Sequence, residues 1–161
     1  MKAEEILKKV VFNDHECSII YRRVILLFEL TEPDDNAFNL YDDRIQNYLK
    51  KDHLEVIPLT KVDEVDTFCR APMNFYEKYP SGICVFSHNS RNQLRQLIRH
   101  MRNAFSHGSV SLIAKNGRDY FEIKALDTGK NKIKLFGIIP RDAFEELWNT
   151  IISTITFKKS G

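Results

Sequence analysis

The chain has 161 residues, 43% hydrophobic, 11% aromatic and 29% charged, the size and balance of one globular domain, which argues against two full domains and against wholesale disorder. The longest apolar run, Val24–Phe28, falls far short of the roughly 20 residues of a bilayer span, and Met1-Lys2-Ala3-Glu4-Glu5 is acidic where a secretory leader is basic; both point to a cytoplasmic protein with no membrane partner. The net charge of +2 says less than its distribution. Residues 78–118 hold seven Lys and Arg and no acid, while residues 1–77 hold sixteen acids against ten bases; such a basic stretch either meets a polyanion or pairs with the acidic first half inside the fold.

In chain order, Glu4–Leu30 has apolar residues at helical spacing, with Asn13-Asp14 as break and cap, and predicts one or two helices. A turn follows at Thr31-Glu32-Pro33-Asp34-Asp35-Asn36, then helical character from Phe38 to Lys51. Residues 52–89 are the least legible: Pro58, Pro72 and Pro80 interrupt them, around a short helix at Val62–Cys69 and a turn at Pro80-Ser81-Gly82. Ser90–Ser106 predicts one helix, capped by Asn89 or Ser90 and stopped by Gly108. Val110–Ala114 and Tyr120–Leu126 around Asn116-Gly117 predict a hairpin, and Lys132–Ile138 a third strand. Pro140 opens a last helix with Phe144, Leu147, Trp148, Ile151, Ile152 and Ile155 on one stripe. The expected fold is mainly α: a helical bundle with a small antiparallel sheet (about 110–138) inserted before the last helix, in a single domain over 1–161.

On a wheel of about 100° per residue, Leu94, Leu97, Ile98, Met101 and Phe105 form one stripe of the 90–106 helix, and Arg91, Arg95, Arg99 and Arg102 share the face beside it. No acid stands four residues from any of them to offset the charge. Guanidinium groups suit phosphate because the planar fork donates two parallel hydrogen bonds. The competing reading is a solvated face, or one bridged to acids of the first half.

The helix ends in Arg102-Asn103-Ala104-Phe105-Ser106-His107-Gly108. This resembles the active-site motif of the HEPN superfamily: an Arg, usually a polar residue after it, and a His following four to six intervening positions, at the end of a long amphipathic helix. Arg102, Asn103 and His107 occupy those places. Arg95 with His100 repeats the spacing in mid-helix, without the Asn or the Gly. The resemblance implies a metal-independent endoribonuclease that needs no cofactor, acts by attack of the ribose 2′-hydroxyl on the adjacent phosphate, and works as a homodimer with both motifs in one cleft. His107, with an ordinary imidazole pKa of about 6.5, suits proton transfer, and Arg102 suits the charge developing on phosphorus. Asn103 suits orienting a phosphate oxygen or the imidazole. Arg91, Arg95 and Arg99 are the expected RNA-binding residues. Toxin–antitoxin systems and host defence are common settings of the family, so an antitoxin or regulatory protein is an expected partner. HEPN toxins paired with a nucleotidyltransferase antitoxin usually carry Tyr two residues after the His, where this chain has Ser109. The alternative is a non-catalytic HEPN-like module binding RNA, a nucleotide or a protein.

Spacing adds a constraint. Residues five apart on a regular helix diverge by about 140° and by about 7.5 Å along the axis. Either the last turn unwinds, or a second chain completes the site across a two-fold axis. Metal catalysis is the weaker reading, because the motif region has no carboxylate, and Cys84 with His88 lacks the paired doublets of a zinc site. His15 and His53 read as surface or cap residues. His100 lies near His107 on the wheel and is the second histidine to test. Cys17, Cys69 and Cys84 read as free, mostly buried thiols.

Overall fold

The computed structural model describes residues 2–3, 11–26, 29, 38–88, 92–127, 129 and 131–155. The predicted turn at 31–36, the candidate caps Asn89 and Ser90, and Arg91 lie outside them. About half of the described residues are helical and about a quarter lie in strands.

Asn13 does cap the first helix, α1 (Asp14–Ile19): its side chain accepts from the Glu16 N–H at 2.8 Å, and the Glu16 carboxylate accepts from the Asn13 N–H at 2.9 Å. A π-helical segment, Ile20–Leu26, continues it. α2 (Asp43–Asp52) starts on the Asp42 cap and stops at His53, whose φ of 55° ends the helix. The chain then builds β1 (Glu55–Leu59), α3 (Val62–Arg70), the short α4 (Phe75–Lys78) and β2 (Ile83–Ser87). α5 (Gln93–Ser106) is followed by β3 (Val110–Lys115), β4 (Arg118–Asp127), β5 (Lys132–Pro140), a 3₁₀ turn at Arg141–Ala143 and α6 (Phe144–Ser153).

The strands form one five-stranded sheet in the order β1-β2-β5-β4-β3, with β1 parallel to β2 and the other pairs antiparallel. This overturns the mainly α expectation: the protein is an α/β fold with a mixed sheet, not a helical bundle carrying a small insertion. The three strands anticipated between 110 and 138 are present and run to Pro140. What sequence reading missed is β1 and β2, both inside residues 52–89. β2 is buried at all five positions, so it shows the continuous apolar run of a strand covered on both faces, which periodicity alone does not separate from a piece of buried helix. β1 contains Pro58, which argues against a strand until β1 is seen at the sheet edge, where a missing N–H costs no ladder bond.

The sheet is packed on both sides. Cys84, Phe86, Phe121, Ile123, Leu135 and Ile139 join the core beneath α1, α2, α5 and α6, which centres on Trp148, Phe144, Leu94 and Met101. Ile83, Val85, Phe136 and Ile138 meet Val65 of α3 and Phe75 of α4 on the other side. Gly82, just before β2, has φ +105° and sits so close to the Ile138 carbonyl that a Cβ there would lie 2.7 Å from it. The hairpin turn is built as the sequence implied, with Asn116 and Gly117 both at positive φ.

The ladder between β4 and β5 is irregular at one point. Ala125 pairs with Leu135 and Leu126 with Ile133, so Lys134 is an extra residue of β5 without a partner on β4. Such bulges re-aim a side chain.

Candidate functional site

α5 begins at Asn92, whose side chain accepts from the Arg95 N–H at 3.0 Å. Its buried face is Leu94, Leu97, Ile98, Met101 and Ala104, with Phe105 packed partly into the same core. The helix stops at the predicted place. The Gly108 N–H donates to the Phe105 carbonyl at 3.3 Å and the Ser109 N–H to the Ala104 carbonyl at 2.9 Å, while Gly108 takes φ +64°. This is the paired-bond ending that glycine permits without strain. His107 is the capping residue, at φ −94° and ψ 2°, and its side chain is exposed. Among the described residues its imidazole makes no hydrogen bond.

Among the described residues no hydrogen bond joins Arg102 to His107. The Arg102 guanidinium, 30% exposed, donates to the carboxylate of Glu29 at 2.5 Å, so one member of the basic face is bridged to an acid of the first half. Arg95 lies over the Phe38 ring, 5.8 Å from its centroid. Arg99 is exposed and makes no ion pair among the described residues. The helix therefore has two flanks: Arg95 and Arg102 lean on protein groups, whereas Arg99 and Asn103 open onto a cleft.

That cleft, of about 530 Å³, lies between the start of α3, the end of β2, α5 and the β4–β5 irregularity; its lining includes Lys61, Ser87, Gln96, Arg99, His100, Asn103 and Lys134. His100 forms part of the wall and is only 7% exposed. Its Nε2–H donates to the Ser87 carbonyl at 2.9 Å, the assignment required by a carbonyl acceptor, and its Nδ1 has no hydrogen-bond partner among the described residues. Burial lowers the His100 pKa below the ordinary imidazole value; the Ser87 bond opposes this, and the charges of Lys134 and Arg99 add to it.

A family model described as HEPN pEK499 p136 matches residues 17–160. The chain belongs to the HEPN family. No curated protein and no solved structure matches it. Membership points to a nuclease or RNA-related module, and the matched span contains the whole Arg102–His107 segment.

Other groups lie outside the cleft and the end of α5. Burial pushes the Cys84 thiol up to about 12, and burial with Asp66 nearby does the same to Cys69; Cys17, by contrast with the buried reading, is exposed. Among the described residues, no three His, Cys, Asp or Glu side chains stand together as candidate metal ligands, and no helix is long and apolar enough to cross a membrane. Sequence reading named Arg99 and Asn103 but not the cleft that joins them. Gln96, Arg99, His100 and Asn103 recur at steps of three and four, which the sequence displays; Lys61, just before α3, and Lys134 of β5 arrive through topology and a bulge, which it does not.

Proposed function

We propose that this HEPN protein is a metal-independent endoribonuclease, its chain 1–161 working as one domain and two chains forming a cleft lined by both copies of Arg102, Asn103 and His107. A ribose 2′-hydroxyl attacks the adjacent phosphorus. The O2′–P bond forms, the P–O5′ bond breaks, and the strand is left with a 2′,3′-cyclic phosphate. One imidazole takes the proton of the 2′-hydroxyl and the imidazole of the second chain gives a proton to the departing 5′-oxygen. Arg102 meets the charge on the phosphorane oxygens, and Asn103 orients one of them. Arg91, Arg95 and Arg99 hold the strand. Toxin or host-defence action, with an antitoxin or other regulator, is the proposed setting.

The observation that carries this reading is the end of α5. It holds His107 at an exposed cap with its ring unbound among the described residues, one turn beyond Arg102, inside the matched family span. The Arg102–Glu29 pair favours a second reading, a non-catalytic RNA-binding module in which that arginine is structural. Incubating the protein with total RNA in EDTA separates them: cleavage that disappears in His107→Ala supports the enzyme, and binding without cleavage supports the module.

A further inference from the structure

The lining of the α5 cleft is cationic and amide-rich in a way the motif does not account for. Arg99, Lys134 and Lys61 converge there from three elements, and none of the three forms an ion pair among the described residues. Two carboxylates also line it. Asp63 pairs with Lys132 at 2.5 Å, and Asp127 accepts from the Gly129 N–H at 3.1 Å, so three lining cations stand beside two acids, one of which Lys132 offsets. Thr60 follows β1 and Ser87 ends β2, placing the cleft at the carboxyl ends of the parallel strand pair, where open α/β sheets characteristically take ligands. Lys134 reaches it because it is the unpartnered residue of the β5 bulge. In the wall, His100 keeps Nδ1 buried and without a hydrogen-bond partner among the described residues, which costs free energy unless a ligand or water completes it.

We propose that this cleft is a single-nucleotide subsite on the RNA path: Arg99 and Lys134 clamp a backbone phosphate, and Gln96, with the His100 ring behind it, reads the edge of the attached base. The inference rests on the RNA reading above and adds to it where one nucleotide next to the cut is held and by which groups. About 530 Å³ lies within the range of sites that bury a small ligand, roughly 300–1,000 Å³. Asn103 links the two sites, lining this cleft while following Arg102 in the motif. Donors and acceptors on both amides give the cleft a means of distinguishing bases, which a lysine-only groove lacks.

The test uses the full chain and five-residue 2′-O-methyl homopolymers of A, C, G and U, which cannot be cut by 2′-hydroxyl attack, titrated by fluorescence anisotropy. Arg99→Ala and Lys134→Ala should each weaken binding about tenfold and lower the salt slope by about one. Gln96→Leu should change the ratio of affinities among the four homopolymers, while Lys115→Ala, in the exposed β3–β4 hairpin, leaves that ratio unchanged. These side chains are exposed or half-buried, and a thermal melt of each variant controls for folding. Arg99→Ala and Lys134→Ala proteins that bind within twofold of the parent overturn the subsite. So does a Gln96→Leu protein that keeps the parental ratio. A parent that binds through this cleft yet cleaves nothing refutes the endoribonuclease and leaves the subsite standing.

Discussion

The two flanks of α5 carry the same kind of residue into different surroundings. Arg95 and Arg102 spend their charge on the Phe38 ring and the Glu29 carboxylate, whereas Arg99 borders a cleft shared with Lys61 and Lys134. Four arginines at helical spacing looked like one phosphate-binding face. The structure divides the three described ones, Arg95, Arg99 and Arg102, between a flank whose cations must be released before they serve a substrate and a flank whose cation stands ready. In this fold, what an arginine can do is set by what neighbouring elements bring within its reach.

The largest expected effect falls on the Arg102 flank. His107→Ala and Arg102→Ala should each lower single-turnover cleavage by about 10² to 10⁴, the usual worth of an acid–base group or a fixed cation at phosphorus. Loss of less than threefold in both would remove the Arg102 flank from the chemistry. Co-expressing the two variants sharpens it further: a shared site should give heterodimers an activity that differs from either mutant homodimer, and a protein monomeric at micromolar concentration that cleaves at full rate would rule the shared site out.

Next in size, Glu29→Gln should raise cleavage or RNA affinity several-fold, because it frees Arg102 from an exposed pair worth about 0–1 kcal/mol while leaving thermal stability nearly unchanged. Lower activity would show that Glu29 positions Arg102 instead of competing with phosphate. On the same flank, Arg95→Ala should weaken RNA binding more than turnover; an equal loss in the chemical step would contradict that role.

How much of this was legible follows from particular residues. Gly108 and the stripe Leu94–Phe105 announced the end and the buried face of α5, and Asn116-Gly117 announced the hairpin, because each is a local signal. The α/β character was hidden because β2 is apolar from Ile83 to Phe86 and β1 carries Pro58, and their pairing joins residues 28 apart in the chain. The motif Arg102-Asn103…His107 was visible at once. Glu29, Lys61 and Lys134 were not, since each reaches α5 only through tertiary packing.

The smallest expected effect concerns His100. Its folded pKa lies below the ordinary 6.5, so the unfolded chain binds the extra proton first and stability falls as pH drops below about 6.5, levelling once the folded form also protonates. Denaturant titrations from pH 7.5 to 5 should show this slope in the parent and less of it in His100→Gln. An unchanged slope would mean that other groups set it. Bound 2′-O-methyl RNA should flatten the slope if phosphate near Arg99 and Lys134 eases protonation of the ring.

The central claim is cleavage by the strand's own 2′-hydroxyl, without metal, at the end of α5. It is tested most directly on an RNA oligonucleotide cut at a mapped linkage, in EDTA, with one 2′-deoxy substitution at the nucleotide whose hydroxyl would attack. Cleavage at that linkage should stop while neighbouring linkages are still cut, and products of the unsubstituted strand should end in 2′,3′-cyclic phosphate. Continued cutting at the deoxy position, or activity lost in EDTA and restored by magnesium, would contradict it.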